Sequence, residues 1–131
     1  MSLQQVNGLY IASSGIHDRG VFCAIDIEKG SLIEIAPVVV LRNTDRAMLD
    51  NTDLYDYYFI WGKEQYPAIV LGYGSIYNHS PDANAFFTID REQRLMLYEA
   101  LRFIPAGTEI TVDYHAGEPD KPLWFDVVSP M

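Results

Sequence analysis

Positive charge and cysteine are both scarce in this chain of 131 residues. Nine Lys and Arg stand against 18 Asp and Glu, and the formal net charge is −9. That balance argues against binding nucleic acid through its phosphates, because such binding needs clustered basic side chains. The single cysteine, Cys23, excludes a disulfide framework within the chain and any zinc site built from several cysteines. We therefore expect no metal site and no direct nucleic-acid partner.

Long apolar runs are missing as well. None approaches the roughly 18 residues that a membrane-spanning helix needs. No basic segment followed by an apolar stretch marks a secretory signal at the N-terminus. These absences predict no membrane partner and an intracellular, cytoplasmic location, or a nuclear one if the source is eukaryotic or viral.

The chain nevertheless has ample material for a core. Apolar residues make up 49 % of it, and it contains 9 tyrosines, 6 phenylalanines and 2 tryptophans. A chain of this length and apolar share is expected to form one domain that buries roughly two-thirds of its unfolded surface. We take residues 1–131 as that domain, with 117–131 as an extended tail that packs Trp124 against it.

Most of the chain is predicted to form short strands, because closely spaced segments rich in β-branched residues are separated by Gly and Pro. Pro37 is predicted to divide two of these strands. Thr44 is predicted to be the N-cap of a helical turn over residues 44–51. The fold class is therefore mainly β. The predicted strands are 9–12, 21–24, 32–35, 38–41, 57–61, 68–71, 85–89, 95–98 and 109–112.

The densest run of like charge consists of Asp45, Asp50, Asp53 and Asp56, with only Arg46 among them. Such a run is usually a solvated face that serves solubility. It also suits a basic peptide, because carboxylates along one surface raise the local concentration of cations. Both interpretations stay open from the sequence.

Three ordered segments carry a resemblance to a known family. They are residues 19–30 (RGVFCAIDIEKG), 75–84 (SIYNHSPDAN) and 104–114 (IPAGTEITVDY). In this order, across nearly the whole chain, they resemble the SET domain, the family of S-adenosylmethionine-dependent protein-lysine methyltransferases. The resemblance is closest to minimal members such as the small viral ones.

The resemblance implies a fold of several small β-sheets with few short helices and a C-terminal pseudoknot. In that pseudoknot the last segment threads beneath a preceding loop, which brings Asn78 and His79 next to Asp113 and Tyr114. The implied cofactor is S-adenosylmethionine. The residues implied to bind it are Arg19, Gly20, Asn78, His79 and, from the tail, Trp124.

Tyr114 holds the position of the family's catalytic tyrosine. The substrate lysine would enter from the face opposite the cofactor, through an aromatic channel lined by Tyr57, Phe87 and Val112. These residue types suit the chemistry, because an apolar channel disfavours the charged ammonium that must lose its proton before attack. Aromatic walls also hold methylated cations by cation–π contact.

The implied function is a protein-lysine N-methyltransferase acting on a basic protein or peptide, such as a histone-like tail. The alternative is a catalytically idle SET domain that binds a peptide or serves in assembly, prompted by Asp18 where many relatives have glycine. If that position needs a positive φ, Asp18 would adopt it with some strain. Larger relatives close the channel with a zinc-binding C-terminal module, so here the tail 117–131 or the second subunit of a homodimer would close it.

Overall fold

The computed structural model describes residues 5–114, which leaves the tail 117–131 and Trp124 outside the described residues. This part of the chain confirms the predicted fold class, mainly β with few short helices. In chain order its elements are β1 Leu9–Ser13, β2 Arg19–Cys23, β3 Leu32–Val40, a 3-10 helix Asn43–Asp45, α1 Arg46–Asp50, a 3-10 helix Asp53–Asp56, β4 Phe59–Trp61, β5 Tyr66–Val70, β6 Asn78–His79, β7 Ala85–Asp90, β8 Leu95–Ala100 and β9 Glu109–Val112.

Two sheets are formed, a four-stranded one in the order β1-β2-β9-β6 and a five-stranded one in the order β4-β5-β3-β8-β7. In the smaller sheet β9 lies between β2 and β6. It pairs antiparallel with β2 and parallel with β6, where Asn78 is opposite Thr111 and His79 is opposite Val112. This crossing brings the segment 78–79 beside the end of β9, as the resemblance implied.

The larger sheet curls until its two edge strands meet. Phe59 of β4 and Phe87 of β7 belong to opposite edges, yet their ring centroids are 6.4 Å apart. Alternate residues of a strand share one face, and on the concave face Ala68, Met96 and Tyr98 are buried. The apolar core therefore lies inside the curl and extends to a group of aromatic rings at its edge.

The prediction that Pro37 divides two strands is wrong, because β3 runs unbroken through it. The Val38 N–H donates to the Arg94 carbonyl on the β8 side at 2.9 Å, so the nitrogen of Pro37 faces the β5 side. There β5 has already ended at Val70, and the Pro37 carbonyl accepts from the Leu71 N–H at 2.9 Å. The hydrogen bond that Pro37 cannot donate is therefore lost only at the end of the β3–β5 pairing.

The helical turn is present, but Thr44 is not its N-cap. A 3-10 helix begins after Arg42, and the Asp45 carboxylate accepts from the Arg42 N–H at 3.2 Å. The hydroxyl of Thr52 then caps the second 3-10 helix by accepting from the Leu54 N–H. Because that helix continues to Asp56, Tyr57 precedes β4 rather than opening it, contrary to the predicted strand 57–61.

Asn84 forms three hydrogen bonds to β9. Its Nδ2 donates to the Glu109 carbonyl at 2.8 Å, and its Oδ1 accepts from the Thr111 N–H at 2.9 Å. The backbone N–H of Asn84 also donates to the Thr111 hydroxyl at 3.3 Å. The side chain is buried, so these bonds have little competition from water.

Replacing Asn84 by alanine should lower the free energy of unfolding by about 2–4 kcal/mol, because it leaves a buried N–H and a buried C=O unpaired. Urea unfolding measures this loss. The matched control is Asn51→Ala, since exposed Asn51 donates to the Ala47 carbonyl at 2.9 Å and its loss should cost less than about 1 kcal/mol. Equal losses of unfolding free energy in the two variants would contradict the proposed contribution of the Asn84 hydrogen bonds.

Candidate active site

Asn78 opens β6 and is surrounded by oxygen. Its Nδ2 lies 3.1 Å from Ser14 Oγ, 3.3 Å from the His17 carbonyl, 2.9 Å from the Arg19 carbonyl and 2.8 Å from Glu109 Oε2. An amide NH₂ group has only two hydrogens to donate, so the acceptors here outnumber them. Such a surplus of oxygen acceptors is suited to an additional cationic donor, such as a primary ammonium group.

Gly20 lets these groups approach the backbone. A Cβ at this position would clash with the Glu109 carboxylate and would lie 3.1 Å from Asn78 Nδ2. Ser14 holds the carboxylate by donating to Glu109 Oε1 at 2.7 Å. The oxygens of this cluster fit the ammonium group of S-adenosylmethionine, which donates hydrogen bonds.

Asp18 has a φ of +42°, the left-handed conformation expected where many relatives have glycine. Its carbonyl accepts from the Ser14 N–H at 3.1 Å, which closes the turn between β1 and β2. Arg19 contributes to the cluster through its carbonyl. Its side chain is exposed and lies 3.9 Å from the Asp18 carboxylate.

His79 joins the two ends of the parallel crossing. Its Nδ1 accepts from the Tyr114 backbone N–H at 3.0 Å, and the same atom lies 3.7 Å from Asp113 Oδ1. An Nδ1 that accepts carries no proton, so in this geometry the ring is neutral with its hydrogen on Nε2. The centroids of the His79 and Tyr114 rings are 5.1 Å apart. His79 thereby fixes both the backbone and the ring of Tyr114.

The hydroxyl of Tyr114 donates to the Tyr77 carbonyl at 2.6 Å. Burial raises the pKa of Tyr114 well above its usual value, and the nearby Tyr57 and Glu109 raise it further. The phenol is therefore protonated across the physiological range, with its hydrogen committed to a backbone carbonyl. A phenol oxygen that donates its hydrogen can also accept hydrogen bonds through its lone pairs.

Tyr77 is in turn held by a buried carboxylate. Glu34 of β3 is 1 % exposed, and its Oε1 accepts from the Tyr77 hydroxyl at 2.7 Å. Its Oε2 accepts from the Tyr73 N–H at 3.0 Å and from Gln5 Nε2 at 2.8 Å. Burial and the adjacent Glu34 charge raise the pKa of Tyr77 far above its usual value. A charged group in a core needs this degree of hydrogen bonding to be stable there.

Aromatic rings form a wall beside Tyr114. The centroid of Phe59 lies 5.8 Å from that of Tyr114 and 6.4 Å from that of Phe87, both edge-to-face. Phe87 also contacts Tyr98, at 6.1 Å between centroids. Tyr57 is half-buried, and burial together with the Asp18 charge raises its pKa. These rings offer the apolar surface that an aliphatic amine side chain requires.

The structure brings most of the predicted site residues together. The predicted cofactor-binding residues Arg19, Gly20, Asn78 and His79 lie around the Asn78 cluster, and Phe87 and Tyr57 lie near Tyr114. Val112, predicted to line the channel, is 1 % exposed and packs in the core cluster. The predicted cofactor contact Trp124 lies outside the described residues.

Four residues of the site were not predicted from the sequence. Phe59 completes the aromatic wall, Ser14 and Glu109 complete the oxygen cluster, and Glu34 anchors Tyr77. Two of them left a signal. Glu34 is a single acidic residue inside an otherwise apolar strand, and Glu109 stands in the segment 104–114 that carries the family resemblance.

Three further observations concern the described residues 5–114. No group of three His, Cys, Asp or Glu side chains there is arranged to hold a metal ion. Cys23 is buried, and burial raises the pKa of its thiol. None of the helices in this range is long and apolar enough to cross a membrane.

The strand crossing and the grouping of Asn78, His79 and Tyr114 define the SET class of methyltransferase folds. The chain belongs to the SET domain family, whose sequence pattern matches residues 18–115. Members with methyltransferase activity use S-adenosylmethionine.

Comparison with individual proteins agrees with this assignment. The chain is 29 % identical over 109 residues to the H3 lysine-37 specific histone-lysine N-methyltransferase of Schizosaccharomyces pombe, covering 82 % of this chain and 70 % of that protein. A solved structure of a candidate histone methyltransferase from Plasmodium falciparum is 30 % identical, with a TM-score of 0.66, and covers 86 % of this chain and 95 % of that one.

A third likeness concerns the fold alone. The structure of ctPRC2 bound to S-adenosylmethionine in an autoinhibited conformation gives a TM-score of 0.69 at 20 % identity. The match covers 82 % of this chain but only 15 % of that one.

Replacing Tyr77 by phenylalanine should lower the free energy of unfolding by about 1.5–3 kcal/mol, because it removes a buried hydrogen bond to a charged carboxylate. Thermal or urea unfolding measures this loss. Tyr73→Phe is the control, since Tyr73 reaches Glu34 through its backbone N–H and keeps that bond. A Tyr77→Phe protein as stable as the control would contradict the anchoring role of Glu34.

Proposed function

We propose that this protein is an S-adenosylmethionine-dependent N-methyltransferase that methylates a lysine of a basic protein or peptide. The observation that carries the proposal is Tyr114, whose hydroxyl donates to the Tyr77 carbonyl while its ring contacts Phe59 and His79. A fixed phenol oxygen beside an apolar wall is suited to orienting a lysine amine. Activity in SET relatives supports the reaction class.

The cofactor would be held by the oxygen cluster around Asn78. S-adenosylmethionine supplies an electrophilic methyl group on a sulfonium. The carbonyls of His17 and Arg19 and the Glu109 carboxylate would accept from its ammonium, and Gly20 leaves the space for that approach. Anchoring the amino-acid end in this way lets the chain orient the reacting methyl group toward the substrate.

The aromatic wall would favour the neutral form of the substrate lysine. Phe59 and Phe87 present apolar surface, and desolvation there favours the neutral amine, which has the lone pair needed for attack. Tyr114 would orient that amine through its oxygen lone pairs, because its own hydrogen is committed to the Tyr77 carbonyl. Most of the rate gain would come from alignment of nitrogen, methyl and sulfur, which requires a rigid phenol.

The acidic ridge, defined as Asp45, Asp50, Asp53 and Asp56, supports a basic partner. Asp45 forms an ion pair with Arg42, with 3.3 Å between Oδ1 and Nη2. Hydrogen bonds from Arg42 also lower the pKa of the Asp45 carboxyl. Burial raises the pKa of Tyr57 most, the Asp18 charge adds to this, and Asp56 and Asp53 contribute least. The negative charges of the ridge would concentrate a cationic peptide near the site.

We propose a histone-like tail as the form of the substrate. The Schizosaccharomyces pombe protein carries the name of a histone H3 methyltransferase, and tails of that kind are rich in basic residues. We extend to this chain the class of substrate, a basic tail with an accessible lysine. The nuclear or cytoplasmic location predicted from the sequence is compatible with such a partner.

We also propose that residues 117–131 or the second subunit of a homodimer would complete the channel wall. Size measurement in solution distinguishes these two arrangements.

Replacing Tyr114 by phenylalanine should lower kcat for lysine methylation by about 100-fold or more, because the amine loses its orienting oxygen. Cofactor binding should be retained. A thermal shift measures it, since S-adenosylmethionine at one hundred times its Kd adds about 2.7 kcal/mol of stability.

The matched control for that substitution is Tyr10→Phe, which removes the same oxygen from an exposed ring stacked on Phe22. A fully active Tyr114→Phe enzyme would contradict the proposed role. Wild-type protein that neither methylates any lysine nor responds to the cofactor would instead indicate an idle SET domain.

Neutralising Asp50, Asp53 and Asp56 together to asparagine should raise KM for a basic peptide by about 3- to 10-fold at low salt, with kcat little changed. The effect should shrink at high salt, because screening weakens exposed charges. The amide oxygen introduced at position 50 can still accept the hydrogen bond that Asp50 receives from Tyr58 at 2.7 Å.

The control for the ridge carries the same change in charge elsewhere, as Asp26→Asn, Glu28→Gln and Glu99→Gln. It should leave KM within about twofold of the wild type, since those side chains lie outside the ridge. If KM rises equally in both triple variants, the ridge has no specific role and is ordinary solvated surface.

A further inference from the structure

A second charged surface, opposite in sign to Asp53 and Asp56, lies at the far end of β4. The segment that holds Asp45 also packs there, since Asn43 donates to the Glu64 carbonyl at 3.1 Å and Arg46 donates to the Gln65 carbonyl at 2.7 Å. The β4–β5 turn and the β7–β8 turn meet around a depression of about 710 Å³. We call it the basic depression and define it by six lining residues, Trp61, Lys63, Glu64, Tyr66, Arg91 and Arg94. No role in the proposed cofactor site or aromatic wall has been given to these six residues.

The basic depression gathers positive charge in a chain that has little. The chain holds nine Lys and Arg in total, and three of them line this one depression, with Glu64 the single carboxylate among the lining residues. Lys63, Arg91 and Arg94 are exposed. Between residues 5 and 114, none of the three has a carboxylate oxygen within 4.0 Å. Their charge is therefore available to a ligand.

The floor of the basic depression is aromatic. Trp61 is 7 % exposed, and Tyr66 is its partner in the β4–β5 pairing. Such a floor displaces water and strengthens a charge-assisted hydrogen bond formed above it. Guanidinium groups bind carboxylate or phosphate oxygens in a fork geometry, which makes an anionic side chain a suitable occupant.

The basic depression is close to the aromatic wall. Trp61 follows Phe59 by two residues in β4, a distance of about 7 Å along a strand, and the Phe59 ring contacts Tyr114 at 5.8 Å between centroids. An extended peptide advances about 3.3–3.6 Å per residue. A substrate residue about two to four positions from the methylated lysine can therefore reach Arg91 and Arg94.

Charge changes sign along β4. Asp53 and Asp56 precede the strand, whereas Lys63 follows it and Arg91 and Arg94 lie beside its far end. A peptide whose lysine enters beside Phe59 would meet negative charge on one side and positive charge on the other. This polarity selects one direction of binding, because the reversed peptide would bring like charges together.

We propose that the basic depression binds an acidic side chain of the substrate, a carboxylate or a phosphate, about two to four residues from the methylated lysine. Asp53 and Asp56 of the acidic ridge then bind basic residues on the opposite flank. This inference rests on the proposed function and adds to it the charge pattern of the substrate.

The test uses labelled peptides that carry one lysine with arginines on one flank. The other flank holds serine, glutamate or phosphoserine at positions two to four from the lysine, and each peptide is also made with its flanks exchanged. Kd is measured by fluorescence anisotropy and KM by methylation. In the favoured direction, glutamate or phosphoserine should lower Kd and KM by about fivefold or more relative to serine, and salt should weaken the gain.

Two protein variants locate the effect. Arg91→Gln with Arg94→Gln should abolish the preference for the acidic flank and leave kcat on the serine peptide unchanged. Lys29→Glu is the matched control, because it also changes the net charge by two at an exposed turn away from the basic depression, and it should keep the preference. Arg91→Glu with Arg94→Glu should reverse it in favour of a basic flank, a gain that unfolding cannot mimic.

The outcomes separate this inference from the proposed function. Equal Kd for serine, glutamate and phosphoserine peptides overturns the inference even if every peptide is methylated. Loss of the preference in Lys29→Glu as well as in Arg91→Gln with Arg94→Gln also overturns it, since the effect would then be one of net charge. Absence of methylation with a preserved acidic preference in Kd contradicts the proposed function alone. A gain with phosphoserine but not glutamate assigns the depression to phosphate.

Discussion

The parallel pairing of β6 with β9 is the constraint on which the rest of the site depends. It covers only two residues on each strand, yet it joins groups that are far apart in sequence, such as His79 and Tyr114, separated by 35 positions. Two ladder positions give little stability against the entropy of closing such a loop. Further bonds add to it, because the Ser80 N–H donates to the Val112 carbonyl at 3.0 Å and Asn84 bonds to an N–H and a C=O group of β9. The crossing of β6 and β9 therefore positions both the oxygen cluster around Asn78 and the ring of Tyr114.

Rigidity at Tyr114 has its source in the core of the larger sheet. Glu34 fixes the side chain of Tyr77, and the carbonyl of Tyr77 fixes the Tyr114 hydroxyl, so a buried carboxylate on β3 orients a phenol in the smaller sheet's crossing. An apolar residue at position 34 would remove a costly buried charge. It would also leave Tyr77 without a directional partner. The charge is compatible with the fold because three donors surround it.

The sequence was sufficient for elements whose pattern is local. β9 was predicted at its observed bounds, because β-branched residues and a preceding Pro-Ala-Gly turn define it. β6 was missed, since two polar residues have no strand pattern of their own and are extended only because β9 lies beside them. The roles of Phe59 and Glu34 in the site were not predicted for a related reason. Their importance comes from partners in other strands, such as Phe87 and Tyr77, which no spacing along the chain reveals.

Net charge is likewise a sum that conceals its distribution. The net charge is −9 for the whole chain, but a bound residue responds mainly to charges within a Debye length of about 8–10 Å. The three residues of β4 span about 10 Å, so Asp56 before the strand and Lys63 after it act on different parts of a ligand. Lys63 and the arginines 91 and 94 are distant in sequence, and only the meeting of two turns brings them together. A strongly acidic chain can therefore recognise an acidic group locally, provided that the group is held within reach by contacts elsewhere.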